Sequence, residues 1–153
     1  MDKLILFQSK DLNALLKNRT NESKFGEHIR LVTDFNNIYD SLTTLDVEYV
    51  IFGVAEDIGV FANYGNTGTA RAWDATLKVL LNIQSNTFTN ANKVLILGHL
   101  DFSKEMEKLE NYDPSNEKDI SRARKKVAKI DTYVTNLVYE IVKAGKIPII
   151  IGG

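Results

Sequence analysis

Apolar residues follow two different spacings along most of the chain. Continuous runs rich in β-branched residues at 47–55, 94–97 and 147–151 predict strands that are covered on both faces. Between these runs, apolar positions recur every three or four residues in two segments, which predicts helices. The resulting order of strand, helix, strand, helix, strand favours an α/β fold with a parallel sheet and helical crossovers.

The longer predicted helix lies between the second and third strands. Ser115 or Asn116 can cap its start, and Gly145 suits the position just after its end. The shorter helix, in "ARAWDATLKVLLNI", carries Trp73 and Leu77 on its apolar face. The apolar face of the longer helix consists of Ile120, Ala123, Val127, Ile130, Val134, Leu137, Ile141 and Ala144.

The first part of the chain, residues 1–35, is predicted to be a peripheral leader to a βαβαβ core at 47–153. "LILFQ" predicts a short edge strand, and the following segment a short helix that Ser9 can cap. Asp34 or Asn36 can cap a further helix that ends near Leu45. The whole chain is predicted to form one domain, 1–153.

The composition excludes several classes of protein. With 153 residues and 44% hydrophobic residues, the chain can bury a sizeable core. A net charge of -1 gives no electrostatic reason to expect nucleic acid or an anionic membrane as a partner, and "RARKK" is expected to form a solvated helix face. There is no cysteine, and no apolar stretch approaches the ~20 residues of a membrane helix or resembles a signal peptide. These features predict a cytoplasmic location.

The segment 56–70 is the first candidate for chemistry. It follows a predicted central strand, and ligands of parallel sheets bind beyond the carboxyl ends of the strands. Glu56 and Asp57 can orient a cationic or amide group there, and Thr67 or Thr69 can cap the helix that follows. The chain has neither a phosphate-binding P-loop motif nor a dinucleotide fingerprint. A purely structural loop is the alternative interpretation.

His99 and Asp101 form the second candidate, because they are metal-ligand residue types at the end of the second strand. A complete metal site needs three or more ligands, and the other histidine, His28, lies in the leader. We expect instead a polar pair at the end of a strand, hydrogen-bonded to neighbouring backbone.

Several stretches together carry a resemblance to a known family. They are, in order, "VIFGVAEDIGVFANYGNTGTARAW", "LLNIQSN", "VLILGHLDF" and "IVKAGKIPIIIGG". They resemble the N-terminal part of the arginase–agmatinase–formimidoylglutamase (ureohydrolase) family, and most of all its formimidoylglutamase-like bacterial branch. "KFGEHI" is similar to the leader of that branch, so the resemblance spans 24–153.

The resemblance implies a three-layer αβα fold with an eight-stranded parallel sheet, of which this chain would supply about three core strands. It also implies a pair of manganese ions, bridged by a hydroxide, that hydrolyses a small-molecule linear amidine. The family's metal ligands are a His directly after a "GG-[GD]" turn, a D-x-H-x-D motif and a D-x-D motif, and none of them occurs in this sequence. We therefore expect an N-terminal fragment of such an enzyme that is inactive alone, with no catalytic residue and no bound manganese.

The resemblance further implies that the 56–70 segment forms part of the substrate side of the site. Many relatives carry a basic residue at the positions of Phe61 and Asn66, and this chain does not. This departure weakens any role of these two positions in binding a substrate carboxylate. The candidate residues of the substrate loop are Glu56, Asp57, Asn63, Gly65, Asn66 and Gly68.

The family's topology implies that the strand 47–55 lies between the strands 94–97 and 147–151. The 147–151 strand then lies at an edge, rich in isoleucine, where only Pro148 interrupts the row of backbone donors. Such an edge predicts a homo-oligomer. Two alternatives to the enzyme fragment remain open, a non-catalytic α/β assembly module and a small-molecule-binding domain.

Overall fold

Four strands and six α-helices make up the part of the chain that the computed structural model describes, residues 2–17, 19–32 and 37–153. Short 3-10 turns occur between them. The strands are β1 (Leu4–Leu6), β2 (Tyr49–Ala55), β3 (Val94–Asp101) and β4 (Ile147–Gly152). The helices are α1 (Ser9–Leu15), α2 (Ile38–Thr44), α3 (Ile58–Ala62), α4 (Ala72–Leu80), α5 (Ser103–Glu107) and α6 (Glu117–Lys143).

The strands form one open sheet in the order β1-β3-β2-β4. Strands β3 and β4 both run parallel to β2, which lies between them as expected. Strand β1 pairs antiparallel with β3, so the sheet is mixed and the expectation of a wholly parallel sheet is wrong. The reason is that β1 enters at an edge, where no helical crossover from a neighbouring strand fixes its direction. The predicted α/β class is confirmed.

Residues of the central strand contribute to two apolar clusters. Val50, Phe52 and Val54 belong to a cluster that includes the inner face of α6, whereas Ile51 packs with Trp73 of α4. This alternation follows from the pleat, because successive side chains of a strand point to opposite faces. Helices of the described chain therefore pack against β2 from two directions.

The ends of α6 agree with the predicted signals. The Asn116 side chain accepts a hydrogen bond from the Lys118 N–H at 3.0 Å, which caps the first turn. After the helix, Gly145 adopts a φ of +74°, and its N–H donates to Val142 O at 2.9 Å. A left-handed residue just past the last turn ends a helix, so the chain is free to begin β4 at Ile147.

The N-terminal segment is tied into the fold by packing and by charge. Phe7 and Phe25 are buried in the cluster around α4, and Lys3 forms an ion pair with Glu105 at 2.9 Å. The hydrogen bond to Glu105 raises the pKa of Lys3. At the start of α1, the Asp11 carboxylate accepts a hydrogen bond from the backbone N–H of Gln8. The helix therefore does not use the predicted Ser9 cap.

Helix α2 begins after Asn37, whose side chain accepts from Tyr39 N at 3.0 Å. The predicted caps Asp34 and Asn36 lie outside the described residues. Within the described ranges, no helix is both long enough and apolar enough to cross a bilayer.

Candidate functional site

The segment that follows β2 is more ordered than the predicted loop. It contains the short helix α3, and a 3-10 turn at Thr69–Arg71 leads directly into α4. The prediction of an irregular loop over 56–70 is therefore wrong for part of its length. Its glycines indicate a loop, but an acidic pair at its start organises the backbone through hydrogen bonds.

Glu56 is buried, with 4% of its surface exposed, and it caps α3. Its Oε2 accepts hydrogen bonds from Ile58 N at 2.5 Å and from Gly59 N at 2.9 Å. These are N–H groups that the first turn of a helix leaves without an internal partner. The carboxylate is therefore engaged with backbone and does not project freely from the end of β2.

Asp57 holds the other end of the same segment. Its Oδ1 accepts from Gly68 N at 2.8 Å, from Ala70 N at 3.1 Å and from the Thr69 hydroxyl at 2.9 Å. Burial raises the pKa of Asp57, but these hydrogen bonds outweigh it and hold that pKa below its usual range. Asp57 thus links the start of the segment, just after β2, to its end at the 3-10 turn before α4.

The predicted threonine cap of α4 is wrong. Within the described part of the chain, no side chain caps the start of α4, and the Thr69 hydroxyl donates to Asp57 and to the Glu56 carbonyl oxygen. The carboxylate of Asp57 accepts from the N–H groups of Gly68 and Ala70, on either side of Thr69. A charged acceptor from the end of β2 replaces the local hydroxyl.

A cavity of about 370 Å³ lies where this segment meets the end of β4. The 56–70 segment is therefore beside the carboxyl ends of both β2 and β4, as expected. Backbones come very close here, because a Cβ on Gly152, whose φ is +97°, would lie 2.5 Å from Val54 O. The lining residues are Val54, Glu56, Gly59, Val60, Asn63, Val127, Ile130, Asp131, Val134, Ile150, Gly152 and Gly153.

Only part of the predicted substrate loop lines this cavity. Glu56 and Asn63 do, whereas Gly65, Asn66 and Gly68 do not. Gly65 instead packs closely on Val60, since an added Cβ would lie 2.8 Å from that side chain. Asn66 is exposed.

Asp57 and Phe61 line a neighbouring cavity of about 410 Å³ between the ends of β2 and β3. The Phe61 ring also packs on Tyr112 at 6.2 Å between ring centroids. The acidic pair that the sequence places side by side therefore belongs to two different cavities.

Helix α6 contributes a cavity residue that the sequence interpretation missed. Asp131 is exposed at the cavity, and its carboxylate has no hydrogen bond or ion pair within the described residues. It lies four residues after Val127 and three before Val134, which also line the cavity. This spacing puts the three on one helix face, so a carboxylate inside the apolar stripe was the available signal.

Of the second candidate pair, His99 and Asp101, the aspartate makes the hydrogen bond to neighbouring backbone that we expected. Its carboxylate accepts from the Ser103 N–H at 3.0 Å and from the Ser103 hydroxyl at 3.1 Å. Burial raises the pKa of Asp101, but these bonds and the nearby His99 and Lys3 together hold it below its usual range. His99 lies instead beside Trp73, with ring centroids 6.2 Å apart.

Among the described residues, no group of three or more His, Asp or Glu side chains is placed to hold a metal ion. The arrangement at the end of β4 offers one free carboxylate, Asp131, and one amide, Asn63, above apolar walls. Such a surface can accept hydrogen bonds from a cationic or amide group of a small ligand.

No protein-family model, curated protein or solved structure matches this chain significantly. A functional conclusion therefore depends on the geometry of the site and on the sequence resemblance.

Proposed function

We propose that this chain supplies the substrate-side wall of a ureohydrolase-type active site, which hydrolyses the C–N bond of a linear amidine. The observation that carries the proposal is the cavity at the carboxyl ends of β2 and β4. The two stretches that most resemble the family, "EDIGVFANYG" and "IPIIIGG", both contribute to its lining. Although the two stretches are far apart in the sequence, they therefore contribute to one site.

The finer description of the fold belongs to the same proposal. Apolar clusters that contain α6 and α4 take residues from opposite faces of β2, and this supports a three-layer αβα arrangement. The order β3-β2-β4, with parallel pairing throughout, supports a ureohydrolase-like core. Strand β1 would then be an antiparallel addition at the edge.

The manganese pair of the family does not fit the residues described here. Glu56 is the buried carboxylate nearest the cavity, and its Oε2 is held by two backbone N–H groups. Asp131 and Asn63 remain, but neither histidine of the chain lines this cavity. The metal ligands of the proposed enzyme are thus expected outside these residues, and we derive no step through the metals.

Within the proposal, Asn63 and Asp131 bind and orient the substrate. An amidine group and an amino group both present N–H donors, which suit carboxylate and amide oxygens. The apolar wall formed by Val127, Val134 and Ile150 would pack against the carbon chain of the substrate and exclude water from it.

The test uses the gene from which the chain comes and its complete product. We expect the codons that follow Gly153 to supply a G-H-N-N or G-D-H run, with D-x-H-x-D and D-x-D motifs further on. Supplied with Mn²⁺, the complete product should release formamide from a formimino substrate or urea from a guanidino substrate. A stop codon directly after Gly153, or no hydrolysis of either substrate type, would contradict the enzyme proposal.

A variant tests the role of the site in that product. Asn63→Ala should lower kcat/KM about tenfold, as expected when one hydrogen bond to a charged group is lost. Asn92→Ala, which removes an exposed amide outside the cavity, is the matched control and should leave kcat/KM unchanged. Equal kcat/KM values for the two variants would show that Asn63 does not bind the substrate.

A second candidate function is a non-catalytic assembly module that forms a homo-oligomer. The observation that favours it is the exposure of Ile147, Ile149 and Ile150 on β4. Exposed apolar edge strands recruit further chains.

The absence of cysteine suits a reducing compartment, so for either function we propose that the protein is located in the cytoplasm.

A further inference from the structure

A second cavity, of about 290 Å³, shares no lining residue with the one at β4. It is walled by β1 with the residue after it, α1, the start of α4 and His99 of β3. Phe7, Leu15, Trp73 and Leu77 of its lining belong to the cluster around α4, so this wall lies on the other side of β2 from α6. The lining residues are Ile5, Leu6, Phe7, Asp11, Ala14, Leu15, Trp73, Asp74, Leu77 and His99.

One wall of this cavity is aromatic and rigidly held. Trp73 is only 4% exposed, and its ring lies so close to Gly53 that an added Cβ would be 2.6 Å from it. His99 is the register partner of Gly53 on β3, and its ring lies 6.2 Å from that of Trp73. Backbone contacts therefore fix the indole, and a ligand does not have to order it on binding.

The polar groups of the cavity are mainly acceptors. Among the described residues they are Asp11, Asp74 and His99, with no lysine or arginine. One oxygen of Asp11 accepts from Gln8 N at 2.9 Å. Within the described residues, Asp74 has no hydrogen-bond partner and no ion pair. The cavity thus combines an apolar interior with two carboxylates that form no ion pair within the described residues.

We propose that this cavity binds a small organic monocation, an ammonium group carried on an aromatic or apolar body. The ammonium group would lie at Asp74 and at the free oxygen of Asp11, and the body would pack on Trp73 and Leu77. Aromatic faces attract cations, and a charge-assisted hydrogen bond to a carboxylate adds to that attraction. This site is separate from the proposed amidine site and does not depend on it.

The single tryptophan of the chain makes the test direct, because all tryptophan fluorescence comes from this cavity. We expect 2-phenylethylamine to change that fluorescence saturably. The neutral analogue 2-phenylethanol should bind about tenfold more weakly, as expected when a hydrogen bond to a charged group is lost. Raising the salt concentration should weaken binding of the amine more than binding of the alcohol.

The decisive variant is Asp74→Asn, at an exposed position in the first turn of α4. It should weaken binding of the amine about tenfold. Asp40→Asn removes the same charge from the first turn of α2, away from the cavity, and should leave the affinity unchanged. Unchanged far-UV circular dichroism would show that both variants fold.

Three results would overturn the proposal: no saturable change with the amine, equal affinity for amine and alcohol, or equal affinity of the Asp74→Asn and wild-type proteins. If Asp74→Asn does not fold, the comparison of amine with alcohol in the wild-type protein, at low and high salt, decides alone.

Discussion

Strands β2 and β4 are neighbours with similar apolar sequences and very different surroundings. The inner residues of β2 are all buried, whereas every residue of β4 is exposed or half-buried. The contrast is clearest for Ile51 and Ile149, which are register partners and are 6% and 38% exposed. The same residue type, at the same level of the same sheet, thus differs in burial.

The difference shows what an apolar run predicts and what it does not. β-branched residues favour an extended backbone, and both runs form strands. Burial also needs a partner on each side, and β2 has β3 and β4 beside it and two apolar clusters on its faces. Strand β4 pairs with β2 alone in the described chain.

The largest expected effect on stability comes from truncating one of the two register partners, Ile51 and Ile149. Ile51→Ala should lower the free energy of unfolding by about 2–5 kcal/mol, because it leaves a cavity in a packed cluster. Ile149→Ala should cost about 1 kcal/mol or less, because its side chain keeps part of its contact with water in the folded state. Urea denaturation of both variants measures the difference. Equal losses would show that β4 is covered in solution.

The next largest effect on stability is expected at Asp57, which follows the carboxyl end of β2 and accepts hydrogen bonds from the end of the 56–70 segment. Asp57→Asn should lower the free energy of unfolding by about 1–2 kcal/mol, because charge-assisted hydrogen bonds to three groups become weaker. Asp131→Asn, at an exposed carboxylate without such bonds, should change stability by less than about 0.5 kcal/mol. Chemical denaturation at neutral pH separates the two. A larger loss for Asp131→Asn would contradict the structural role of Asp57.

The same carboxylate gives an expected pH dependence. The folded-state pKa of Asp57 lies below its unfolded value, so its stabilisation is fully present above the ordinary carboxyl range. It is lost as the pH falls through the folded pKa. The stability difference between wild type and Asp57→Asn should therefore narrow steadily below about pH 4. Denaturation series at several acidic pH values measure it, and a constant difference would contradict this assignment.

The smallest expected effect on the folded monomer comes from Ile150, which is 44% exposed on β4. Ile150→Lys should leave the free energy of unfolding of the monomer within about 0.5 kcal/mol, as at most exposed positions. It should nevertheless abolish self-association, because a charge at an exposed strand edge opposes pairing with another chain. Light scattering over a dilution series tests this. A wild type that stays monomeric, or an oligomer indifferent to the lysine, would show that β4 is not the interface.

Much of the fold was predictable because its signals are local. The caps of α6 at Asn116 and Gly145 lie next to the residues that they act on. The order of the elements and the central position of β2 also agree with expectation. The direction of β1 was not predictable, since its partner Leu100 is far away in the chain.

The candidate site was predictable in its location and less so in its parts. The 56–70 segment was expected at the carboxyl end of β2, and it lies there. The partners of its acidic pair were missed, because Glu56 and Asp57 accept bonds from backbone groups whose positions depend on the folded segment. Asp131 was missed for a related reason: its place at the cavity requires α6 to pack beside the end of β4.

The sequence by itself determined the three core strands and the long helix α6, because spacing, capping and β-branching act within a few residues. It also determined a cysteine-free chain of ordinary hydrophobic content with little net charge. Only the tertiary structure decided which apolar runs are covered, which carboxylates are engaged and where cavities form. Those outcomes depend on contacts between residues far apart in the chain, such as Trp73 on Gly53 and Thr69 beside Gly152, and no local pattern encodes them.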